Sequence, residues 1–559
     1  MEAPVKKTPL QYSWRRAGLV AGSVLLLSMP ALPVMAQGKT LRIAMTAADI
    51  PKTNGQPDQG FEGNRFTGIP LFDALTHWDL SSEDKPSVLI PGLATEWAVS
   101  DSDKTKWIFK LRQGVKFHDG SDLKAAAIVW NEQKVLDKSA PHFAPDQIGV
   151  TVSRMPNLVS ARVIDDYTVE LTTKEPDSFI PINLTNLFIA SPAHWQKKYD
   201  ALASVSDPAE RAKQAWAAFS TDASGSGPFK MASFSARERV EYAANKDYWD
   251  AKRVPKIDRV VLLPMPEANA RTAALLSGQV DWIENPAPDA LSAIKGKGFV
   301  IKANAQPHVW PWQFSFAEGS PWLDKRVRHA ANLCVNREEL KEALNGLMEI
   351  PKGTVPPGHP WWGNPKFDIK YDLEAAKKLM TEAGYGPNKR LKVKTITSAS
   401  GSGQMQPVPM NEFLQQALKE CFFDVELDVI EWNALFTNWR QGAKDPGSRG
   451  AHATNVTFAA MDPFFAMVRF TSSKTVPPVS NNWGYFVNPE FDDLIAKART
   501  SFADKDRDAA LANLHARIVE EAPFLWVAHD VGPRAISPKL KGVVQPKSWF
   551  IDLATVSME

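Results

Sequence analysis

Short runs in which apolar and polar residues alternate recur along the chain and predict β-strands. The first run spans residues 40–45, Thr-Leu-Arg-Ile-Ala-Met. Alternation of this kind turns every second side chain toward one face, which is typical of a strand with one buried side. Five later runs share this pattern, at residues 106–111, 167–172, 260–264, 391–397 and 425–430. The chain is therefore expected to contain several sheets.

Segments with helical periodicity lie between many of these strands. Residues 373–383 carry Leu, Ala and Met on one face and Lys and Glu on the other, and Gly384 then ends the helix. The same periodicity occurs at residues 411–419 and 490–498. Strands that alternate with helices predict α/β lobes.

The N-terminal segment combines basic residues with a short apolar run. Lys and Arg residues at positions 6–16 precede an uncharged stretch that Pro30 and Pro33 interrupt. This order predicts a secretory signal peptide over residues 1–36, cut after Ala36. A membrane anchor is the alternative, but a bilayer crossing needs roughly 20 apolar residues and the prolines come too early.

Export determines where the mature chain is expected to lie. The residue directly after the predicted cut is Gln37 and not a cysteine, so we expect a free periplasmic protein without a lipid anchor. Arg15 and Arg16 weakly resemble a twin-arginine signal, which leaves both general secretion and twin-arginine export open. The 523 mature residues suggest two or three lobes.

The charge of the mature chain is close to balanced. Removal of residues 1–36 leaves 61 Lys and Arg against 62 Asp and Glu. This balance argues against a nucleic-acid partner. No second long apolar run is present, so we expect no membrane crossing. We also expect a monomeric protein.

Cys334 and Cys421 are the only cysteines of the chain. In an oxidising compartment such a pair can close one disulfide, although sequence does not supply the geometry. Two buried thiols are the alternative.

The sequence contains no recognisable catalytic motif. It has no phosphate-binding GxxxxGK[ST] loop, no HExxH pair and no GxSxG elbow. Neighbouring carboxylates such as residues 165–166, 492–493 and 520–521 are typical of solvated surfaces. We therefore predict no enzyme activity, no cofactor and no metal site.

Tryptophan is unusually frequent, with 19 residues. Its ring suits ligand stacking as well as core packing, and for any single residue core packing is the more common role. Several tryptophans lie in or beside predicted loops, namely Trp310, Trp312, Trp322, Trp361, Trp362, Trp432 and Trp483.

A series of motifs resembles the family 5 extracellular solute-binding proteins, the dipeptide-, oligopeptide- and nickel-binding components of ABC importers. The longest are PGLATEW at 91–97 and KWIFKLRQGVKFHDG at 106–120. Further matches follow in the family's order, at residues 225–230, 245–249, 273–281, 324–330, 336–338, 371–384 and 520–523.

The resemblance implies a two-lobed periplasmic-binding-protein fold of the cluster C type, an α/β fold with an extra subdomain inserted in the first lobe. Residues 37–77, 212–302 and 525–559 would form the hinge-side lobe. Residues 78–211 would form the inserted subdomain, and 303–524 the second lobe. The lobes would close on a ligand and present it to an ABC permease with its ATPase.

The chain departs from dipeptide-binding members of the family at two ligand anchors. In those members an aspartate holds the amino terminus of the ligand, and an arginine holds the carboxylate of the ligand. Here Ala459 stands where that aspartate would be, and the loop 398–404 contains no arginine. An uncompensated terminal charge costs several kcal/mol, so a plain zwitterionic dipeptide is disfavoured.

Neutral donors and aromatic rings suit a longer, modified or non-peptide ligand. Asp462 offers a partner for a cationic group, although an Asp-Pro step is also a common turn former. We therefore expect ligand contacts from Trp310, Trp312, Ser400, Gln404, Trp432, Phe458, Met461 and Asp462.

Several alternatives stay open for the ligand and the role. The ligand is expected to be a peptide or peptide-like solute, with an opine, an oligosaccharide or a metal chelate as the alternative. His308, His329 and His359 are scattered, which weakens nickel binding. An exported carbohydrate-active enzyme and a chaperone-like or receptor role are less favoured.

Overall fold

The computed structural model describes residues 38–147 and 155–559. Lys39 to Glu559 form one compact unit. The predicted signal peptide, residues 1–36, lies outside the described residues. Within the described ranges no helix has both the length and the apolar character to span a membrane.

The first sheet has seven strands and is built around the N-terminal strand Thr40–Met45. That strand runs parallel to its two neighbours, and its side chains Leu41 and Ile43 are buried in the core beneath the sheet. In spatial order the strands are Val300–Lys302, Arg534–Ile536, Trp282–Glu284, Thr40–Met45, Arg259–Pro264, Arg239–Ala244 and Phe229–Ser235.

The second sheet also has seven strands and contains two seven-residue strands that are buried at every position, His308–Phe314 and Phe524–Asp530. These two strands are antiparallel, with a register shift between Trp310 and Pro311. In spatial order the strands are Met348–Glu349, Phe524–Asp530, His308–Phe314, Ala453–Thr454, Leu391–Ser398 and Phe423–Ile430, with Phe458–Ala459 also paired to His308–Phe314.

A third, antiparallel sheet of four strands lies between residues 94 and 173. Its strands follow the order Ala94–Val99, Lys106–Leu111, Thr168–Thr173 and Leu158–Asp165. The helix Ala125–Leu136 contacts its last strand. Alternating residues such as Trp107 and Phe109 form the core of this layer. Two strand pairs complete the sheets, Thr76–Trp78 with Leu89–Pro91 and Leu540–Lys541 with Ser557–Met558.

Helices cover the sheets and fill the connections between strands. Among elements that lie wholly within the described residues, the α-helices of four or more residues, besides Ala125–Leu136, are Gly60–Gly63, Ile180–Asn183, Pro192–Asp200, Pro208–Ser220, Ala268–Leu276, Leu291–Gly296, Lys325–Cys334, Arg337–Ala343, Leu373–Glu382, Pro407–Lys419, Trp432–Gln441, Pro489–Thr500 and Asp504–Glu521. Two short π-helical stretches, Asn64–Gly68 and Phe464–Val468, continue into the turns Ile69–Leu71 and Arg469–Thr471.

The strands and helices predicted from periodicity are confirmed, with shifts of a few residues at their ends. The helix predicted at 411–419 begins at Pro407, because proline is tolerated in the first turn of a helix. The strand predicted at 425–430 begins at Phe423. This residue pairs with Leu391 in the parallel register, and its ring is buried.

The predicted lobe boundaries remain a prediction. The order of the strands shows where the chain passes from one sheet to the other. It passes from the first sheet to the second through residues 303–307 and returns through residues 531–533. The strand Phe524–Asp530 thus belongs to the second sheet, although 525 was predicted to open the last first-lobe segment. Trp195 and Trp216 share a core with the first sheet from either side of the predicted 211/212 boundary.

Cys334 and Cys421 form a disulfide, with 6.3 Å between their Cα atoms. It joins the end of the helix Lys325–Cys334 to the turn before the strand Phe423–Ile430. Both cysteines are buried in the core of the second sheet. The bridge lies among core residues, so its contribution is structural.

Candidate ligand-binding site between the two sheets

Two chain connections run side by side between the sheets. The backbone N–H of Asn304 donates to the carbonyl of Val531 at 2.8 Å, and that of Gln306 to the carbonyl of Asp530 at 3.0 Å. Only a few residues in each connection separate a first-sheet strand from a second-sheet strand. Such paired short connections are the usual place for a hinge between lobes.

A cavity of about 40 Å³ lies next to these connections, between segments of both sheets. Most of its wall is aromatic. Its lining residues are Gly60, Phe61, His308, Ser402, Trp432, Phe436, Trp439, Thr457, Phe458, Ala459, Phe465, Arg469 and Trp549. In this arrangement the cavity is far smaller than the several hundred Å³ typical of small-molecule sites.

One helix supplies three of the rings in this wall. Trp432, Phe436 and Trp439 lie on the helix Trp432–Gln441 at spacings of four and three residues, which places them on one face. The side chain of Glu431 accepts a hydrogen bond from the N–H of Ala434 and caps the start of this helix. The sequence therefore builds an aromatic stripe that points into the cavity.

Two glycines allow the loop before the helix Pro407–Lys419 to lie flat on these rings. A Cβ at Gly401 would approach the indole of Trp432 to 2.4 Å. A Cβ at Gly403, whose φ is +71°, would come within 2.6 Å of Trp549 and 2.8 Å of His308 Nε2. Both positions therefore require glycine for close approach.

Arg469 brings a buried guanidinium to the cavity. Its Cζ lies 4.4 Å from the ring centroid of Trp439, 4.6 Å from that of Phe465 and 4.7 Å from that of Phe470. Cation–π contacts of this kind are strongest where water is excluded. The aromatic surroundings fix the direction of this side chain.

A second cavity of about 20 Å³ adjoins the first and is more polar. Its lining residues are Thr46, Arg65, Glu284, Asn285, Gln306, Gly401, Gly403, Met405, Asp530, Gly532, Pro533 and Trp549. The two cavities share the glycine loop at 401–403 and Trp549. They are best regarded as two parts of one site.

Buried charges hold the first-sheet wall of this second cavity. Glu284 makes ion pairs with Arg65 at 2.5 Å and with Arg534 at 2.9 Å. Burial alone would raise the pKa of Glu284, but Arg534 and Arg65 bring that pKa below its ordinary value. Burial also raises the pKa of Asp530, to about 6. Arg65 donates to the carbonyl of Trp549 at 3.0 Å and so positions that ring.

Hydrogen bonds connect the two sheets across the site. The N–H of Glu62 donates to Ser402 Oγ at 3.0 Å. Asn285 Nδ2 donates to the carbonyl of Met405 at 2.5 Å, and Gln59 Nε2 donates to Asn433 Oδ1 at 3.3 Å. Each of these hydrogen bonds joins a residue that precedes the connection at residues 303–307 to a residue that follows it. The site is therefore closed in this structure.

Two of the eight residues expected to contact ligand, Trp432 and Phe458, lie in the wall of the cavity. Trp310 and Trp312 instead lie in the core of the second sheet. Their indole N–H groups donate to the carbonyl of Gln404 at 2.8 Å and to Asn411 Oδ1 at 2.7 Å. The structure does not bring these two rings to the cavity.

The other four expected residues lie behind the cavity wall or in turns. Gln404 is fully buried, donating to the carbonyl of Asn455 at 3.0 Å and accepting from the N–H of Thr457 at 3.2 Å. The carbonyl of Ser400 accepts from Ser398 Oγ at 2.7 Å. Asp462 accepts from the N–H of Phe465 at 2.9 Å, at the start of the π-helical stretch, and Met461 is half-buried beside it.

Sequence reasoning missed several lining residues. Ala459, noted as the position that lacks an aspartate, lies in the cavity wall. Phe61, Arg469 and Trp549 come from distant segments without a local motif, so no signal singled them out. The spacing of Phe436 and Trp439 from Trp432 was a usable signal, because it defines one helix face.

The carboxylate pair at 165–166 and the histidines His329 and His359 lie elsewhere, whereas His308 lines the cavity. Asp165 and Asp166 are exposed at the end of a strand in the four-stranded sheet. His329 stacks on Phe367 and His359 contacts Trp361, both outside the cavity. In residues 38–147 and 155–559 no group of three or more His, Cys, Asp or Glu side chains is arranged to hold a metal ion.

A larger groove of about 670 Å³ lies beside the disulfide, on the second-sheet part of the molecule. Its lining includes Glu339, Glu412 and Glu420, and all its lining residues fall between 334 and 420. Movement of the first sheet relative to the second would not enclose this groove. It is therefore not the candidate site.

Comparison with known proteins agrees with this arrangement. The description "Bacterial extracellular solute-binding proteins, family 5 Middle" matches residues 88–477. Heme-binding protein A of Haemophilus influenzae is 27% identical, covering 85% of this chain and 84% of that protein. Di/tripeptide-binding protein 2 of Pseudomonas aeruginosa is 26% identical, covering 91% and 93%.

Solved structures give the same fold. The periplasmic binding protein DppA from Helicobacter pylori, in complex with the peptide STSA, aligns with a TM-score of 0.78 at 22% identity, covering 93% of this chain and 98% of that chain. The fold is thus that of the two-lobed periplasmic binding proteins. The chain belongs to the family 5 bacterial extracellular solute-binding proteins, which serve ABC importers.

Proposed function

We propose that this protein is the periplasmic substrate-binding protein of an ABC importer. It captures a peptide or peptide-like solute between two closing lobes and delivers it, as a monomer, to a permease of the inner membrane. The observation that carries the proposal is the cavity whose wall combines Phe61 and Trp549 with His308, from a second-sheet strand, and Trp432, from the helix Trp432–Gln441.

The small volume of the cavity supports a closing motion. A solute the size of a short peptide needs several hundred Å³, whereas the two adjoining cavities measure about 40 and 20 Å³. A ligand of that size therefore enters when the lobes separate. Closure is then favoured by whatever contacts the ligand adds to both lobes.

The relatives favour a peptide but do not fix the ligand. One has a name that specifies di- and tripeptides and another a name that specifies heme. The aromatic wall and the alanine at position 459 suit a ligand without a free amino terminus at that place. An opine, an oligosaccharide or a metal chelate is the alternative ligand on the same fold.

An enzymatic role has less support. Glycoside hydrolysis needs two carboxyl groups that face each other across the substrate. Within the described residues no Asp or Glu lines the aromatic cavity, and the adjoining one contains Glu284, which is paired with two arginines, and Asp530. We therefore assign binding without turnover.

Native mass spectrometry of the protein purified from periplasm tests the proposal. We expect a 1:1 adduct with a small solute, lost after unfolding and refolding and regained when the solute is returned. Vesicles that contain the permease and ATPase encoded by the neighbouring genes should then take up this solute only with the protein present. Chemical conversion of the solute by the protein alone would refute the proposal.

A further inference from the structure

His308 is a buried histidine at the point where the second sheet meets the site. It opens the strand His308–Phe314, directly after the crossing at residues 303–307, and its side chain lines the cavity. The residue is 2% exposed. Its ring stacks on the indole of Trp549, with 4.4 Å between centroids and 20° between planes. The stacking fixes the plane in which its two nitrogens point.

Neither nitrogen of this imidazole has a hydrogen-bond partner among the described residues. The same holds for the indole N–H of Trp549 and for both amide atoms of Gln306, which lines the adjoining cavity. Buried polar groups in folded proteins are almost always hydrogen-bonded, because leaving them unpaired costs free energy. A cluster of such groups in one site is therefore the mark of a ligand-binding surface.

The imidazole is uncharged in this environment. Burial, reinforced by the nearby His529, holds the pKa of His308 well below its ordinary value. A neutral imidazole offers one N–H donor and one acceptor nitrogen. His529 lies behind it, with its Nδ1 2.8 Å from the carbonyl of His308. The site therefore presents a donor and an acceptor without a charge.

The surroundings do not suit a buried ammonium group beside His308. Arg469 is the charged residue in the wall of this cavity, and no carboxylate lines it in the part of the chain that the structure describes. The carboxylates of the adjoining part, Glu284 and Asp530, already lie near the guanidinium groups of Arg65 and Arg534. A buried ammonium needs a carboxylate partner, or it loses more solvation than it recovers. A neutral hydrogen-bonding group has no such requirement.

We propose that His308, together with Gln306 and the indole N–H of Trp549, binds a neutral hydrogen-bonding group of the ligand, an amide or a hydroxyl. The inference rests on the proposed function and specifies the ligand class for the same site. A solute with an uncharged end at this place, such as a blocked peptide or a sugar, is preferred over a zwitterion.

Matched probes test this preference by calorimetric titration. We would compare alanyl-alanine with N-acetyl-alanyl-alanine amide, which has the same backbone without either terminal charge, and with maltose as a neutral hydroxyl probe. We expect at least one neutral probe to bind roughly tenfold or more tightly than alanyl-alanine. Equal or tighter binding of alanyl-alanine overturns the inference, as does the failure of both neutral probes to bind.

Substitutions assign the effect to the imidazole. His308→Phe keeps a flat ring on Trp549 but removes both nitrogens, and we expect it to weaken the neutral probe about tenfold or more. His308→Gln keeps a neutral donor and acceptor and should weaken binding less. His329→Phe, at a histidine stacked on Phe367 outside the site, is the matched control and should leave binding within about twofold.

Unchanged binding in His308→Phe overturns the inference. If that variant does not fold, Gln306→Met tests the same inference, because it removes the neighbouring amide at similar volume. We expect this variant to bind the neutral probe more weakly. Unchanged binding would contradict the inference. A solute adduct in native mass spectra, combined with no preference for neutral probes, rejects this inference alone. Absence of any adduct rejects the proposed function as well.

Discussion

Replacing Gly403 by alanine should obstruct closure of the site. In the closed arrangement a Cβ at this position would lie 2.6 Å from Trp549, whereas carbon atoms prefer about 3.5–4.0 Å. Trp549 is held on the first-sheet side by Arg65, so this clash arises only when the lobes close. The contact with His308, at 2.8 Å, joins a second-sheet strand to the loop that follows the strand Leu391–Ser398 of the same sheet, so it exists in both states.

The size of the effect follows from the overlap. Relief of an approach that is about 1 Å too close requires Trp549 or the loop to move, and overpacking of this kind typically costs about 1–3 kcal/mol. Because about 1.4 kcal/mol corresponds to a tenfold change in affinity, ligand binding should weaken roughly 5- to 150-fold. The strained φ of an alanine adds a separate cost of about 1–2 kcal/mol to folding.

Gly450 provides a matched control for that backbone strain. Its φ is also +71°, but a Cβ there would meet nothing within 4 Å. Gly450→Ala should therefore lose only the stability that the backbone strain costs, measured by thermal unfolding, and bind normally. The assay is calorimetric titration of both variants with the solute that co-purifies with the protein. Equal affinity in the two variants would refute the reasoning.

Three further predictions concern the cleft, the disulfide and a buried lysine. Ser402→Ala removes the hydrogen bond from the N–H of Glu62, so calorimetry should record a roughly two- to tenfold loss of affinity. Replacing Cys334 and Cys421 by alanine opens a bridge that spans 87 residues, and chemical unfolding should show a loss of at most about 4–5 kcal/mol. Burial lowers the pKa of Lys134 to about 7. The unfolded chain therefore holds an extra proton between pH 7 and about 10.5, and stability rises with pH across that window. Lys134→Met should stabilise the protein by about 2–4 kcal/mol at pH 6 and far less at pH 10.5, and equal effects at both values would contradict this.

Much of the fold could be predicted from the sequence because its strands and helices are amphipathic. The strand Thr40–Met45 alternates regularly, and the helix Leu373–Glu382 has one apolar face and ends at a glycine. Helix ends were less predictable. The periodicity predicted a helix at 411–419, yet the helix begins at Pro407, because proline is tolerated in the first turn.

The candidate site was harder to predict because distant segments build it. Phe61, His308, Trp432 and Trp549 meet only after the chain has crossed between the sheets twice. Trp310, expected from the sequence to contact ligand, lies in the core of the second sheet, and sequence does not tell which side of a fully buried strand faces the cleft. The resemblance to the family was enough to show that position 459 lacks the aspartate of the dipeptide-binding members.

Small-angle X-ray scattering of the protein comprising residues 37–559 tests the central claim, that two lobes close on a solute, most directly. Data would be recorded after the co-purified solute has been stripped by unfolding and refolding, and again after the solute is returned. We predict that the solute lowers the radius of gyration and shifts the curve toward the closed arrangement described above. An identical curve in both states, with the solute bound, would contradict the account.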